Sequence, residues 1–353
     1  MAEKILAAMS GGVDSSAAVK LLLEQGYEVA GATMHLFSYG ETNPGDRTCC
    51  ALPDVEDARL AALRLGIDFH VFNFEKEFGC RVIDNFIDTY LSGGTPNPCI
   101  ECNKHLKFGS FLERARLLGF DKIATGHYAV IEQRDDGRYL LKRSPDREKD
   151  QSYVLYSMTQ DQLAHTAFPV GQLTKSEIRR IAGESGLQNA QKPESQDICF
   201  IPDGHYAGLI EERAGAQPHG DIVLLDGTVI GRHSGLINYT VGQRKGVRVS
   251  YSEPLFVYAK DVPKNTLVMA TAAQMRFFEL RAGDVNLIDR DELTEPVRCT
   301  AQTRYHQKDM PCVVYPDGDG IRVVFDEPQR AVSKGQAVVL YDGDYVLGGG
   351  TIL

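Results

Sequence analysis

A polar, glycine-rich stretch near the start of the chain has the residue types of a phosphate site. The motif Ser10–Ser16 (SGGVDSS) follows an apolar run, Lys4–Met9, that predicts a buried strand, and it opens a helical pattern that ends at Gly26. At a helix N-terminus, free backbone N–H groups and the helix dipole attract anions, and glycines let a phosphate approach the backbone. Serine hydroxyls can donate to phosphate oxygens, and Asp14 can hold Mg²⁺. The motif therefore predicts a nucleotide site.

The spacing of this motif separates it from the commonest nucleotide-binding loops. It contains neither G-x-x-x-x-G-K-[ST] nor G-x-G-x-x-G. It resembles the PP-loop, S-G-G-x-D-S, of enzymes that split ATP between the α and β phosphates and bind the departing pyrophosphate. The alternative is a Ser/Gly turn that only caps a helix, and the strand–loop–helix context favours the PP-loop.

A second dense motif, Thr95–Lys104 (TPNPCIECNK), contains two cysteines. Its prolines predict an extended loop that brings Cys99 and Cys102 to the start of a helix at Lys104. A thiol at a helix N-terminus has a lowered pKa, from about 8.5 towards 7, and is a better nucleophile or ligand. A third candidate for the same chemistry is Cys199, which precedes a change in composition.

The remaining cysteines of the eight are interpreted as structural or incidental. Cys49 and Cys50 are adjacent, so at least one of them is expected to be incidental, with a sulfur relay as the less favoured alternative. Cys80 lies in a helical pattern and is expected to pack. Cys299 and Cys312 occupy alternating apolar positions of strands and are predicted to be small core residues.

These motifs need a scaffold that brings the ends of strands together. Up to about residue 200, strands and helices alternate, which predicts an α/β fold: a doubly wound parallel sheet with helices on both faces. Ligands of such sheets bind at the carboxyl ends of the strands, where Ser10–Ser16 lies. Asp54 is predicted to be the N-cap of a helix that ends at Leu65. The segments Tyr128–Gln133 and Arg138–Arg143 predict a hairpin added to this sheet.

The rest of the chain has a different character. After about residue 203, glycine, proline and β-branched residues dominate, and Asp226-Gly227 predicts a hairpin turn. Evenly spaced strands between 297 and 341 predict a small β-barrel. We therefore expect three domains: a catalytic nucleotide-binding domain at 1–203, a central β-rich domain at 204–272 and a C-terminal barrel at 273–353.

Composition and charge limit the classes of function. No apolar run is long enough to span a membrane and the N-terminus lacks a secretory apolar region, so a cytoplasmic protein without a membrane partner is expected. In a reducing compartment, eight cysteines favour catalysis or metal binding over disulfides. The net charge of −10 excludes a uniformly basic surface but allows local patches. Two basic runs are candidates for phosphate contacts: Lys142, Arg143, Arg147 and Lys149, and Arg244, Lys245 and Arg248.

Further motifs occur in order along the whole chain. They are A-T-G-H-Y at 124–128, K-D-Q-S-Y at 149–153, I-C-F-I at 198–201, G-Q-R-K-G at 242–246, T-R-Y at 303–305 and L-G-G-G at 347–350. With the two motifs above, they make the chain resemble the bacterial tRNA-specific 2-thiouridylase family (MnmA/TrmU type) of PP-loop ATP pyrophosphatases. The resemblance implies a domain of the adenine-nucleotide α-hydrolase type. It also implies that ATP adenylates the C2 oxygen of the wobble uridine, U34, in glutamate, glutamine and lysine tRNAs, and that sulfur then displaces AMP to give 2-thiouridine.

By position, the resemblance also implies roles for individual residues. Cys199 would bear a persulfide, and Cys102 would attack it, releasing sulfide or forming a disulfide. The residues that would bind ATP are Ala8, Met9, Ser10, Gly11, Gly12, Val13, Asp14, Ser15, Met34 and Gly126. The residues that would contact tRNA are Asn97, Pro98, Cys99, His127, Lys149, Asp150, Gln151, Arg304, Tyr305 and Gln336. The implied cofactors are ATP and Mg²⁺, and the implied partners are tRNA and a sulfur donor, either a persulfide carrier protein or sulfide.

One position departs from the family pattern. Many members have an aspartate with an acid/base role where this chain has Cys99, and a thiol differs in pKa and hydrogen bonding. Cys99, Cys102 and Cys199 could instead hold a [4Fe–4S] cluster whose open iron binds sulfide, whereas tetrahedral zinc lacks an evident fourth ligand. The persulfide and cluster routes both stay open. The other classes of function left open are a PP-loop amide or C–N ligase with an amine nucleophile, and a non-catalytic tRNA-binding protein.

Overall fold

The N-terminal part of the chain contains a parallel β-sheet. The computed structural model describes residues 2–37, 52–192, 198–201 and 204–353. Its first strands are β1 Lys4–Ala8, β2 Glu28–His35, β3 Phe69–Asn73, β4 Lys122–Ala124, β5 Ala129–Gln133, β6 Tyr139–Arg143 and β7 Thr166–Ala167. Strands β3, β2, β1, β4 and β7 lie side by side in that order, all parallel.

Helices connect these strands and follow them. They are α1 Val13–Glu24, α2 Leu52–Leu65, α3 Glu75–Phe78, α4 Asp84–Leu91, α5 Pro98–Glu101, α6 Phe111–Leu117, α7 Gln160–Ala164, α8 Lys175–Glu184 and α9 Tyr206–Ala214. Two π-helical turns, Gly79–Ile83 and Cys102–Ser110, continue α3 into α4 and α5 into α6. Short 3₁₀ helices lie at Ser152–Leu155, Gln188–Gln191 and Leu236–Asn238.

Strand β1 separates two hydrophobic clusters, because successive side chains of a strand point to opposite faces of the sheet. Leu6 packs in one cluster with Phe78 and Phe111. Ile5 and Ala7 pack in the other, with apolar residues of α1, α2 and α8. Both faces of the sheet are therefore covered by helices, and the predicted doubly wound α/β fold is confirmed.

Two β units follow. The first contains β8 Gly220–Leu224, β9 Val229–His233, β10 Leu255–Asp261 and β11 Thr266–Thr271, in the order β10-β11-β8-β9. The second contains β12 Phe277–Leu287, β13 Val297–Gln302, β14 Met310–Asp317, β15 Gly320–Gln329, β16 Ala337–Asp342 and β17 Tyr345–Ile352. Strand β12 pairs with both β15 and β17, which closes these strands into a barrel.

The predicted hairpin at Asp226-Gly227 and the predicted C-terminal barrel are confirmed. The domain limits 1–203, 204–272 and 273–353 remain predictions.

The hairpin formed by β5 and β6 does not belong to the parallel sheet, so that prediction is wrong. The hairpin itself forms, but β6 pairs with the barrel strand β17, with Lys142 opposite Tyr345 and Leu141 opposite Val346. The pairing of β17 with β12 starts only at Gly348. The backbone groups of the first residues of β17 are therefore available to bond with the free edge of the hairpin. As a result, the hairpin of the N-terminal region and the barrel share one sheet.

Three local predictions about helices also need correction. Helix α2 begins at Leu52, so Asp54 lies in its first turn and is not its N-cap. The cysteine helix begins at Pro98 rather than at Lys104, because the proline fixes a helical φ and Asn97 caps the new start. Cys80 is exposed rather than packed.

The two barrel cysteines are core residues, as predicted. Cys299 and Cys312 are buried and lie directly opposite each other on β13 and β14, with their sulfur atoms 3.6 Å apart. Within the described residues, no helix combines the length and the apolar character needed to cross a bilayer.

Candidate functional site

The glycine-rich loop connects β1 to α1 at the carboxyl edge of the parallel sheet. Gly12 is the N-cap of α1 with extended backbone, and Gly11 has a φ of +73°, which favours glycine. The hydroxyl of Ser15 accepts from the backbone N–H of Ser10 at 3.2 Å and donates to the carbonyl of Gly12 at 3.1 Å. Ser16 also donates to Gly12, at 3.2 Å. These hydroxyls therefore hold the shape of the loop, a role that the sequence motif alone did not indicate.

Residues far away in the chain support the same loop. Thr33 on β2 donates to the carbonyl of Met9 at 2.6 Å. The amide nitrogen of buried Asn189 donates to the carbonyls of Gly11 and Gly12 and to the hydroxyl of Ser16, at 2.8 to 3.2 Å. The sequence carried no signal for Thr33 or Asn189, because such supporting roles depend only on which segments pack together.

Asp14 points to a cation supplied by another helix. Lys175, the first residue of α8, contacts both carboxylate oxygens of Asp14 at 2.7 and 2.8 Å, and the hydroxyl of Tyr128 donates to one of them at 2.6 Å. The capping box of Thr174 with Glu177 marks the start of α8, but nothing in the sequence pairs Lys175 with Asp14. These three contacts leave Asp14 about one further acceptor position, so its role as an Mg²⁺ ligand stays a prediction.

Gly126 lies against the N-terminus of α1. A Cβ atom at Gly126 would lie 2.8 Å from the backbone carbon of Asp14 and from the backbone nitrogen of Ser15, so only glycine permits this approach. Met34 is half-buried near the end of β2, the neighbouring strand. The residues predicted to bind ATP therefore lie at the carboxyl ends of β1, β2 and β4 or directly after them.

The cysteine helix begins at the second predicted motif. The side-chain oxygen of Asn97 accepts from the backbone N–H of Ile100 at 3.4 Å, which leaves its amide hydrogens for other partners. Cys99 lies in the first helical turn and is exposed, whereas Cys102 starts the π-helical turn and is only 8% exposed. Burial raises the pKa of Glu101 between them, and the nearby Lys104 ammonium partly offsets this effect.

Cys199 belongs to a short segment, 198–201, whose neighbours on both sides lie outside the described residues. Phe200 anchors it, with ring centroids 5.6 Å from Phe78 and 5.3 Å from Phe86. Cys199 thereby borders the same hydrophobic cluster that contains Cys102. Among the residues that the structure describes, no three His, Cys, Asp or Glu side chains are arranged to hold a metal ion. Cys49 and Cys50 lie outside the described residues.

His127 joins the cysteine helix to the nucleotide loop. Its Nδ1 lies 2.7 Å from the hydroxyl of Thr125 and its Nε2 lies 3.5 Å from the Lys107 ammonium, while the ring of Phe108 packs against it at 5.7 Å. Burial, with a smaller contribution from Lys107, lowers the pKa of His127 well below its ordinary value, so the ring is neutral at pH 7. With 7% of its surface exposed, His127 is placed as a structural link, which does not favour the predicted direct contact with tRNA.

The loop before the cysteine helix is held by both C-terminal units. From the barrel, Gln336 donates to the carbonyls of Thr95 and Pro96, both at 3.0 Å. From the central unit, the Lys260 ammonium donates to the carbonyl of Gly94 at 3.0 Å and lies over the ring of Tyr90. Burial lowers the pKa of Lys260 to about 8. Gln336, which was predicted to contact tRNA, therefore uses its amide hydrogens to position this loop.

We expect Gln336→Leu to lower the turnover number of the catalysed reaction about tenfold, since small displacements of a reactive loop are costly. The affinity for ATP should be unchanged, because the nucleotide loop does not contact Gln336. Gln274→Leu is the matched control: Gln274 is exposed and accepts from the backbone N–H of Thr271 in its own turn. Steady-state kinetics of both variants check this expectation, and equal turnover in the two would contradict it.

Three other predicted tRNA contacts lie together. The backbone N–H of Tyr128 donates to the side chain of Gln151 at 3.0 Å, and the hydroxyl of Tyr305 donates to the carbonyl of Asp150 at 3.1 Å. The side chain of Asp150 accepts from Ser144 and Ser152. The segment 149–151 and the exposed Arg304-Tyr305 of the barrel therefore form one continuous surface.

Much of the first basic run is engaged with carboxylates. Arg143 forms a bidentate pair with Asp309 at 2.7 and 2.8 Å. Lys142 pairs with Glu132 at 3.2 Å, and Arg147 pairs with Asp344. These side chains stabilise the contact of the hairpin with the barrel, so they are poor candidates for the phosphate contacts that were predicted.

The glycine-rich loop lies at the edge of a doubly wound parallel sheet. Gly126 and His127 join it to a helix that carries two cysteines. This arrangement defines the class of PP-loop nucleotide-binding proteins. Three family models match the chain. They are described as tRNA methyl transferase HUP domain at residues 3–203, tRNA methyl transferase PRC-barrel domain at 208–271 and Aminomethyltransferase beta-barrel domain at 278–352.

Curated relatives match over the full length. Proteins named tRNA-specific 2-thiouridylase MnmA are 47% identical in Clostridioides difficile, covering 100% of this chain and 98% of the relative, and 49% identical in Acetivibrio thermocellus, covering 99% of each. The relative in Symbiobacterium thermophilum is 49% identical and covers 100% of this chain and 92% of its own length. The chain belongs to the tRNA-specific 2-thiouridylase family, which confirms the resemblance found in its motifs.

Proposed function

We propose that the protein is a tRNA 2-thiouridylase that uses ATP to adenylate the C2 oxygen of the wobble uridine, U34, in lysine, glutamate and glutamine tRNAs. Sulfur then replaces that oxygen, releasing AMP and pyrophosphate. The observation that carries this proposal is the segment Thr125–Tyr128, which touches both sites. Gly126 abuts Asp14 and Ser15 of the nucleotide loop, and His127 packs on the helix of Cys102. An activated oxygen and a sulfur nucleophile would thus act in one place.

The proposed sulfur step uses two cysteines. Cys199 accepts a persulfide from the donor, and the Cys102 thiolate attacks the Sγ atom of Cys199. The bond between the two Sγ atoms forms as the bond to the outer sulfur breaks, and hydrosulfide leaves. Hydrosulfide adds to C2, and AMP departs with the former C2 oxygen. A thiol reductant then supplies two electrons to reopen the disulfide. Cys199 borders the hydrophobic cluster that contains Cys102, which supports the pairing of these two thiols in one step.

Two inorganic components have to be considered in the proposed reaction: Mg²⁺ and a [4Fe–4S] cluster. Mg²⁺ is expected with the nucleotide, bound by its phosphates near Asp14, which Lys175 and Tyr128 hold in place. A [4Fe–4S] cluster on Cys99, Cys102 and Cys199 is the alternative to the persulfide route, although the described residues contain no group of three ligands arranged for a metal ion. The sulfur donor for Cys199 is proposed to be a persulfide carrier protein, which hands over sulfane sulfur as its own thiol leaves. Sulfide, the alternative donor, is already at the oxidation level of the product and would add to C2 directly, without a persulfide on Cys199.

The test is mass spectrometry of nucleosides from tRNA incubated with the protein, ATP, Mg²⁺ and either a persulfide donor or sulfide. The reactions are run in air and anaerobically, and iron and acid-labile sulfide are measured in the same samples. The expected result is 2-thiouridine formed together with AMP and pyrophosphate by iron-free protein. Activity confined to iron-loaded, anaerobic protein would replace the persulfide route with the cluster route.

The same experiment separates the other classes. Unmodified tRNA that binds without AMP formation would indicate a non-catalytic tRNA-binding protein. An amide or C–N product would indicate a ligase. Methylated uridine, which the descriptions of the family models suggest, has a different mass from 2-thiouridine and its formation needs no cleavage of ATP to AMP.

A further inference from the structure

Basic side chains in this acidic protein are mostly paired with carboxylates. Asp and Glu outnumber Lys and Arg by 48 to 38. Arg138 pairs with Asp291, and Arg143 pairs with Asp309. Many other cations of the described residues form similar ion pairs. Such residues have their charge neutralised locally, so they attract a polyanion only weakly.

The loop before β10 is an exception. Arg244, Lys245 and Arg248 are exposed, and in the part of the chain that the structure describes none of the three side chains has an ion pair or a hydrogen bond. Three exposed cations that form no ion pair with a described residue create a locally positive surface, even though the carboxylate of Glu253 lines the same cavity as Arg244 and Arg248. This basic loop was singled out in the sequence, and the reaction proposed above does not use it.

The backbone of the basic loop is held firmly. Gln243 donates from its side chain to the carbonyl of Lys245 at 2.9 Å, and its backbone groups bond to Thr240 and Val257. Val247 is buried in the central core. Arg248 has a φ of +55°, a conformation that a side chain adopts only when its surroundings impose it. The cations therefore stand on a fixed loop, which lowers the entropic cost of binding a ligand.

The basic loop borders an open cavity of about 340 Å³. Arg244, Arg248, Tyr251 and Ser252 supply its polar lining, together with the carboxylate of Glu253. The ring of Tyr251 is 45% exposed. Guanidinium groups bind phosphate bidentately, and exposed aromatic rings stack on unpaired bases. The cavity therefore has the groups that recognise a ribose-phosphate unit.

The basic loop also lies next to the barrel segment that holds the loop before the cysteine helix. A Cβ at Gly242 would come within 2.7 Å of the Cβ of Ala331. Shortly after Ala331, two barrel residues bond to Thr95. The carbonyl of Lys334 accepts from the backbone N–H of Thr95, and the side chain of Gln336 donates to the carbonyl of Thr95. Arg330 and Lys334 are exposed and, among the described residues, form no ion pair. Exposed cations thus flank both the contact of Gly242 with Ala331 and the backbone bond of Lys334 to Thr95.

We propose that Arg244 and Arg248 of the central unit bind the ribose-phosphate backbone of the RNA substrate, away from the nucleotide that reacts. The inference rests on the proposed function, since it deepens the account of how the same site holds its RNA. The two arginines contribute affinity and orientation but no base recognition, because phosphates carry no sequence information.

The test compares Arg244→Gln/Arg248→Gln with wild-type protein by measuring tRNA affinity at several salt concentrations and thiolation kinetics. Affinity should fall by about tenfold or more, because the variant loses charge-assisted hydrogen bonds to phosphate. The slope of log affinity against log salt should fall by about one for each phosphate that the variant no longer binds. Turnover at saturating tRNA should stay within about twofold, because neither residue touches the reacting atoms.

Arg232→Gln is the matched control, since Arg232 is an exposed arginine of the same unit, on β9, at 4.0 Å from Asp221. It should leave both affinity and salt slope unchanged. An unchanged affinity in the double variant, or an equal loss in Arg232→Gln, would overturn the assignment. A wild-type protein that binds tRNA through these arginines but forms no 2-thiouridine would support the RNA site while refuting the proposed thiolation.

Discussion

Cys199→Ser is expected to lower the rate of 2-thiouridine formation from a persulfide donor by about three orders of magnitude or more. A serine hydroxyl cannot carry a persulfide, and it is not ionised near neutral pH as a thiol can be. Adenylation should survive, because the nucleotide loop contains none of the cysteines. Nucleoside mass spectrometry measures the first effect, and release of pyrophosphate in the presence of tRNA measures the second.

Cys80→Ser is the matched control for this prediction. Cys80 is an exposed thiol of the same catalytic region, and its replacement should leave thiolation unchanged. Full 2-thiouridine formation by Cys199→Ser would contradict the persulfide route. Loss of pyrophosphate release as well as of thiolation would show that the substitution had damaged the adenylation site instead.

Gly11→Ala is expected to lower the catalytic efficiency with ATP about a hundredfold. Its φ of +73° is strained for any residue with a side chain, and a Cβ there would lie 2.3 Å from the carbonyl oxygen of Asp54. Since both partners are backbone, the loop must move away from α2, and shifts near 1 Å in a site cost about two orders of magnitude. Isothermal titration with ATP and pyrophosphate release at varied ATP measure the loss.

Gly183→Ala serves as the control for the loop glycine. Gly183 lies within α8, where an added Cβ meets nothing within 4 Å. The control should keep full affinity for ATP and gain about 0.5–1 kcal/mol in the free energy of unfolding, because alanine favours helices over glycine. Circular dichroism establishes that Gly11→Ala is folded, and a folded variant with normal ATP affinity would refute the assigned role of the loop.

The nucleotide loop could be predicted almost completely from the sequence. The apolar run before Ser10, the two glycines, and the helical pattern that ends at Gly26 are local signals, and the structure has β1, the loop and α1 at those places. The barrel strands were equally visible, since alternation with period two reports which face of a strand is buried. The burial of both Cys299 and Cys312 follows from that alternation.

The errors fall where a local pattern leaves two choices. The sequence of β5 and β6 predicts a hairpin, but its outer edge can bond to any sheet edge that is open, and β17 offered one. The prolines of the cysteine motif allow either an extended loop or a helix start. The cap by Asn97 selects the helix, which moves Cys99 and Cys102 from a loop into consecutive turns.

Short-range signals were enough to predict the nucleotide loop, the alternating fold, the barrel and the family, because periodicity, glycines and motif order are properties of short segments. The folded chain was needed to learn that Lys175 neutralises Asp14 across 161 residues and that Gln336 holds Thr95 across 241. It also decided that His127 is an interior link and that Arg244 and Arg248 stay unneutralised on the surface. Whether a charged or amide group meets a partner depends on the packing of distant segments, which no local pattern records.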